Sequence, residues 1–271
     1  LIIYGSVASV SVSQLFMGGV IPGLLMAVAL MVLVYFFAAK RKYERTPFNM
    51  RLLIKQFFAS VLSIITPLII LSGFVFGLFT PTEASSVAVA YALVIALFVY
   101  RTLDWKSFKK CLLESAITSA NTLFIIGTSM LFSYVLIKEG VSAQMADFIL
   151  GISDNPYLIL LVINILLLVL GMFMEPGAIL TLMLPVLLPI VKALQIDLVH
   201  FGVVMILNLM IGQVTPPFGV CLFIIADVSK MSLNRMYKAI LPFIIPLVVV
   251  LFICTYIPSV ITWLPNTLLH A

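Results

Sequence analysis

Two interruptions of otherwise apolar sequence constrain this chain more than anything else in it. The first is Glu175-Pro176-Gly177, which ends one long apolar run and starts another. The second is Gln213-Val214-Thr215-Pro216-Pro217-Phe218-Gly219, which breaks a further apolar run near its middle. A carboxylate held in hydrocarbon is costly, so it is rarely there without a partner. Two consecutive prolines lack the N–H groups that a helix would aim at its preceding carbonyls, and those carbonyls are left free. Lipid cannot satisfy freed backbone groups; irregular backbone survives at membrane depth only where it lines a cavity or is buried in protein. The pair predicts an ion and substrate site near the membrane midplane, built on interrupted helices.

Composition excludes the alternatives to a membrane protein. The chain is 63% hydrophobic and 9% charged, with a mean hydropathy of +1.28. A soluble domain of this size cannot hide that much apolar surface, because the share that a core can bury saturates with length. The expected class is an all-α polytopic membrane protein. The net charge of +5 is not a nucleic-acid footprint, since the positive residues lie in short loops between apolar runs. Cys111, Cys221 and Cys254 have no metal-like spacing. No nucleotide-binding loop, zinc motif or nucleophile triad is present, so neither an ATP-driven pump nor an enzyme is indicated.

The apolar runs set the expected order. Leu1–Ser13 is too short to span. The chain starts inside an apolar stretch without an initiator Met, and is read as the later part of a longer protein. Leu15–Ala39 spans, followed by a basic loop over residues 40–56. Phe57–Phe79 spans with a kink expected at Pro67. Thr80-Pro81-Thr82-Glu83 predicts a helix start, with Thr80 accepting from the Glu83 amide and Glu83 reaching back to the Thr80 amide. Ala84–Tyr100 is the next span. Arg101–Lys110 mixes Leu103, Trp105 and Phe108 with basic residues, the pattern of a short helix lying in the headgroup layer. Leu112–Ile137 spans, and Lys138–Pro156 is polar.

The last third carries the interruptions. Tyr157–Met174 and Ala178–Val191 flank Glu175-Pro176-Gly177, and the second piece carries Pro185 and Pro189. It reads as short of the ~20 residues of a comfortable span, which predicts a re-entrant hairpin. Val199–Gly212 and Val220–Val228 are each short, and read as one crossing with an unwound middle. Met236–Ile257 is the last span expected.

Charge orients the chain. Of the 15 Lys and Arg, 13 fall in three clusters: Lys40–Lys55, Arg101–Lys110 and Lys230–Lys238. Placing all three in the cytoplasm makes the hairpin enter from outside and makes the interrupted helix a single crossing, with the C-terminus outside. Leu1–Ala39 and Leu222–Ile257 both run as apolar half-helix, polar step, then proline-bearing span, and in opposite directions. That is the pattern of an inverted repeat. The domain reading follows. Residues 1–39 end a first transport repeat. Residues 57–137 form scaffold helices, with an interfacial helix at 101–110. Residues 157–263 form a second repeat, comprising hairpin 157–192, broken helix 199–228 and span 236–257.

GLFTPTEASSVAVAYALVIALFVYR, GMFMEPGAILTLMLPVLLPI and HFGVVMILNLMIGQVTPPFGVCLF resemble the large membrane (M) subunit of the TRAP transporters, the tripartite ATP-independent periplasmic transporters. Thr80–Ala84 and Thr215–Gly219 are the most specific points. The resemblance implies an elevator-type, Na⁺-driven symporter in the bacterial inner membrane. It implies a small membrane subunit and a periplasmic substrate-binding protein as partners, and an organic acid such as sialic acid or a C4-dicarboxylate as substrate. A matching first hairpin and break would precede Leu1. No organic cofactor is implied.

Na⁺ is met by hard oxygens, which carbonyls freed at a break, a hydroxyl and a carboxylate supply. The candidate ion ligands are Gly171, Met174 and Glu175 at the hairpin, and Gly212, Val214, Thr215 and Pro216 at the break. The candidate substrate contacts are Asn208, Gln213, Thr215 and Pro216. Each has a plainer reading. The break can be a structural kink, Asn208 can join helices, and Glu175 can cap the second hairpin arm. Glu175 can also titrate, as the central group of a proton-coupled transporter or channel. A non-transporting scaffold fits least, because two helix breaks in lipid are costly unless used.

Overall fold

The computed structural model describes all residues except 43–48, 76–78, 142–143, 146, 148–150, 152–154 and 270–271. Every element among the described residues is helical. They are α1 (Ile2–Ala8), α2 (Val12–Lys40), α3 (Met50–Val75), α4 (Pro81–Val94, continued by a π-helical turn Ile95–Val99), α5 (Trp105–Lys138) and α6 (Pro156–Phe173). Then follow α7 (Pro176–Ala193), α8 (Leu198–Gln213), α9 (Val220–Ser229), α10 (Leu233–Tyr256) and α11 (Ser259–Leu268). Among the described residues, six helices are long and apolar enough to cross a membrane, and α3 makes a seventh if its two bent parts are one span. The chain is a multi-pass membrane protein.

Local signals placed the helix starts. Thr80 and Glu83 form the expected reciprocal cap: the Thr80 amide donates to Glu83 Oε2 over 2.7 Å, and the Glu83 amide donates to Thr80 Oγ1 over 3.4 Å. Asn155 and Asp197 cap α6 and α8 by accepting from the amides of Tyr157 and His200. Asn49 accepts from the Leu52 amide, so α3 begins at Met50 and the basic loop ends seven residues before the expected limit of 56. Arg51 and Lys55 therefore stand on a helix, while Arg45 lies outside the described residues.

Other expectations need correction. The 55° bend in α3 lies between Phe58 and Ser60 rather than at Pro67, and no Pro or Gly stands there to account for it. Arg101–Lys110 does not form a separate helix. Asp104 accepts from the Ser107 amide over 3.1 Å, and α5 then runs unbroken for 34 residues. Nothing between Trp105 and Lys138 stops it, since the only breaker is the single Gly127. The second hairpin arm is 18 residues rather than the 14 of Ala178–Val191, because Pro176 and Gly177 take the first helical turn and Lys192 and Ala193 continue the far end. Its length alone therefore does not force re-entrance. The helix Ser259–Leu268 was not expected; two prolines flank and enter it, and its sequence reads as a tail. The polar stretch 138–156 lies partly outside the described residues.

The chain forms two compact units, Leu1–Phe37 with Thr122–Ala271, and Ala38–Asn121. The boundary between them falls inside α5. In the smaller unit α3 packs on α4, and the Tyr91 hydroxyl donates to the Leu62 carbonyl. The larger unit is built around α8. Apolar on all sides, α8 is the kind of helix that must be enclosed; His200 to Met205, Asn208, Leu209, Ile211 and Gly212 are all buried. Around it stand α1, α6, α7, α10 and α11. Tyr4, fully buried, donates to the Leu198 carbonyl, and its ring lies where a side chain at position 202 would be, which only glycine permits. Ile261 of α11 and Val203 of α8 both close on Gly18 of α2. Ser133 of α5 donates to the Thr181 carbonyl of α7 over 3.0 Å.

Candidate functional site

The two interruptions predicted from sequence meet. Helices α6 and α8 cross at Gly171 and Gly212, so closely that a Cβ on Gly212 would stand 2.7 Å from the Gly171 Cα. Such contact between backbones is what small residues allow in membrane helix pairs. One residue further on, the Met172 carbonyl accepts from the Gly219 amide over 3.1 Å. The Phe173 and Phe218 rings stack at a tilt, with centroids 5.2 Å apart. The hairpin tip and the helix break are thus held together by a helix crossing, a backbone hydrogen bond and a ring pair.

The break spans Val214–Gly219. Its bonds follow from what proline lacks. The Val214 amide donates to Ile211 and the Thr215 amide to Gly212, a tightened last turn. Residues 216 and 217 have no N–H to offer Gly212 or Gln213. The Pro216–Pro217 peptide is cis. Gly219 then opens α9 with φ 32°, in the left-handed region that glycine favours. The Gln213 and Thr215 carbonyl oxygens lie 3.0 and 2.9 Å from the place a Gly219 Cβ would take. Neither accepts a hydrogen bond in the break among the described residues. Two free carbonyls therefore converge on a residue that cannot carry a side chain. The third freed carbonyl, that of Pro217, accepts from the Tyr237 hydroxyl of α10 over 2.7 Å.

Each candidate residue has a definite place. Thr215 is buried, and its hydroxyl donates to the Ile211 carbonyl over 2.6 Å, leaving its lone pairs available. Gly212 and Gly171 are the crossing point; their carbonyls remain candidates, but their first role is close packing. Val214 and Pro216 lie on the break beside Thr215, and Gln213 ends α8 with its amide oxygen 4.0 Å from the Cys221 sulfur. Met174 has extended backbone and packs on the core. Glu175 is exposed and caps α7, accepting from the Ala178 amide over 3.0 Å. A Cβ at position 177 would stand 2.8 Å from Glu175 Oε2, so Gly177 makes room for the carboxylate to fold back.

Asn208 sits one turn before Gly212 and does not reach the break. It belongs to a buried chain of polar groups across three helices. Its Nδ2 donates to the Asn164 carbonyl and Oδ1, each over 2.8 Å. Asn164 Nδ2 donates to Thr255 Oγ1 over 3.0 Å, and Thr255 donates to Leu251. Thr255 fixes the direction: its proton is spent on Leu251, so Asn164 must present Nδ2 to it and Oδ1 to Asn208. Asn208 Oδ1 is left facing away, buried and without a partner among the described residues.

Residues 1–260 match the family described as tripartite ATP-independent periplasmic transporter, DctM component. The chain belongs to that family. It is a family of transporters, not of enzymes. Across 271 residues, 99% of this chain, it is 44% identical to the sialic acid TRAP transporter permease protein SiaT of Haemophilus influenzae, covering 44% of that protein. It is 41% identical to the sialic acid TRAP transporter large permease protein SiaM of Vibrio cholerae, over 99% of this chain and 63% of the relative. It is 40% identical to the C4-dicarboxylate TRAP transporter large permease protein DctM of Pseudomonas aeruginosa, again over 99% and 63%. The chain thus spans from under half to under two thirds of these relatives' lengths.

In this DctM-component chain, sequence reasoning missed Met172, Phe173, Phe218, Gly219 and Tyr237 as parts of the site. Met172 reads as packing because its side chain is apolar; its contribution is a carbonyl. A glycine straight after Pro-Pro-Phe was the one available signal, since such a position often needs a positive φ.

Proposed function

We propose that this chain is part of a Na⁺-coupled symporter for an organic acid of the sialic acid or C4-dicarboxylate class. It works in the bacterial inner membrane with a small membrane subunit and a periplasmic substrate-binding protein. The observation that carries the reading is the closure of the hairpin tip on the helix break, with the free Gln213 and Thr215 carbonyls converging at Gly219. Na⁺ is cargo here. Carbonyl oxygens at a helix C-terminus, where the helix dipole is negative, are suitable first ligands, and the Thr215 hydroxyl is a third. Gly171, Met174, Gly212, Val214 and Pro216 offer further carbonyls, and Gln213 and Asn208 remain the candidate polar contacts for substrate. Glu175 acts in this reading as a cap at the tip rather than as the titrating group of a proton-coupled transporter or channel.

Residues 1–39 and 157–263, with hairpin α6–α7 and broken helix α8–α9, are the element proposed to move as an elevator, and residues 57–137 belong to the scaffold. The repeat pattern of Leu1–Ala39 and Leu222–Ile257 supports an inverted architecture. The basic clusters face the cytoplasm and the C-terminus the periplasm. Names of relatives support the substrate class. The test is uptake by the reconstituted transporter with its binding protein, using labelled sialic acid and a C4-dicarboxylate. Uptake that follows an imposed Na⁺ gradient at fixed pH is expected. Uptake that follows a proton gradient and ignores Na⁺ would overturn it and return the role to Glu175.

A further inference from the structure

Helices α4 and α5 enclose an apolar groove of about 410 Å³, wholly inside the smaller unit. Its walls include Val89, Leu93, Ala96, Phe108 and Leu112, and Leu103 of the connecting turn closes one end. Beside Ala96 of the groove, α4 widens into a π-helical turn at Ile95–Val99, where the Tyr100 amide donates to Ile95 and the Thr102 amide to Ala96. Single π-turns of this kind often mark binding sites. Arg101 follows with φ 51°, a conformation uncommon for a residue with a side chain.

The end of the groove at the turn is strongly cationic. Arg101 lies in the turn two residues before Leu103, and Lys106, Lys109 and Lys110 lie on the first turns of α5, all exposed; of these, Lys109 is the one beside the groove wall, over Trp105. Two carboxylates stand among them, and both are engaged. Asp104 caps α5 through Ser107, and hydrogen bonds from Ser107 hold its carboxyl below the usual range. Glu114 lies 3.9 Å from Lys110. Arg101, Lys106 and Lys109 have no acidic partner among the described residues. Trp105 is 70% exposed and stacks on Phe108 at the groove, with the Lys109 ammonium 5.4 Å from the indole centre. An exposed tryptophan beside lysines is the composition of a membrane interface.

We infer that this groove is a binding site for one anionic phospholipid, its acyl chain between α4 and α5 and its phosphate headgroup on Arg101 and Lys109. Charge complementarity selects this occupant. A purely apolar partner helix would leave the unpaired cations unexplained, and a free phosphate would leave the groove empty. Basic pockets between membrane helices recognise anionic headgroups in this way.

The complete transporter, purified in mild detergent, is mixed with phosphatidylglycerol or phosphatidylcholine, and bound lipid is read by native mass spectrometry. Phosphatidylglycerol is expected to be retained about tenfold better. The double substitution Arg101→Gln with Lys109→Gln removes only surface charge and is expected to erase that preference. Ala92→Phe, which fills the groove, is expected to lose both lipids. Equal retention of the two lipids, or a preference unaffected by the double substitution, overturns the site. A photo-crosslinker at position 93 that captures polypeptide rather than lipid overturns it in favour of a protein helix.

Discussion

The Gly219 amide donates to the Met172 carbonyl over 3.1 Å, and this bond ties the hairpin tip to the broken helix. It consumes the amide that an unbroken helix would have given to Thr215. The Thr215 carbonyl is free because Gly219 bonds elsewhere; the Gln213 carbonyl is free because residues 216 and 217 are prolines. Opening the tip would break one hydrogen bond and separate Phe173 from Phe218, at modest cost.

Gly171→Ala should disturb this closure directly. The added methyl would stand 3.2 Å from the Gly212 Cα and 3.3 Å from the Leu209 carbonyl oxygen, so α6 and α8 must part. Overpacking of this sort costs about 1–3 kcal/mol. The expected result is a lower melting temperature and loss of uptake, whereas Gly127→Ala, inside a helix with open space around it, keeps uptake and does not lower the melting temperature.

Asn208→Ala tests the buried polar chain. It strips the donor from the Asn164 carbonyl and Oδ1, and an unpaired buried acceptor costs about 1–3 kcal/mol. The pair should be coupled, so adding Asn164→Leu to Asn208→Leu should cost less than the sum of the two alone. Strict additivity in denaturant unfolding would show that the bond contributes nothing.

These contrasts show what could be read from the sequence. The Thr80–Glu83 cap was legible because it joins residues three apart. The cap by Glu175 was legible for the same reason. Both breaks were legible because proline acts on its own backbone. Partnership between the breaks was not: nothing in Met172 or Gly171 says which glycine or amide, some forty residues on, will meet it. Arg101–Lys110 misled for a physical reason. Lysines and a tryptophan at the first turns of a spanning helix have the same spacing as an amphipathic helix, because in both the long side chains reach for water.

Topology follows from charge and can be checked by labelling. In a variant without its native cysteines, a Cys at Asn49 should be shielded from an impermeant thiol reagent added outside. A Cys at Asn266, exposed on the last helix, should react. Reaction at Asn49 with protection at Asn266 would invert the orientation drawn from the basic clusters.

Glu175→Gln separates the cap from the ion. The glutamine carbonyl can still accept from the Ala178 amide, so the hairpin should stay folded, while Glu175→Ala should cost about 1 kcal/mol as a lost cap. With Glu175 serving as a cap, Glu175→Gln should keep both the Na⁺ response and the pH profile of uptake. A direct ligand would show a raised Na⁺ requirement, and a proton relay would lose its pH dependence.

Thr215→Ala bears on coupling itself. The hydroxyl donates to Ile211 over 2.6 Å, but that carbonyl also accepts from the Val214 amide, and both prolines remain. The break should therefore keep its shape and the protein its expression level. What is lost is one oxygen beside the Gln213 and Thr215 carbonyls. Weakening Na⁺ binding by about 1.4 kcal/mol raises the Na⁺ concentration for half-maximal uptake about tenfold. Thr215→Ser keeps the oxygen and should stay close to the parent. A Na⁺ dependence unchanged in Thr215→Ala would place the ion elsewhere and leave the break as a structural joint.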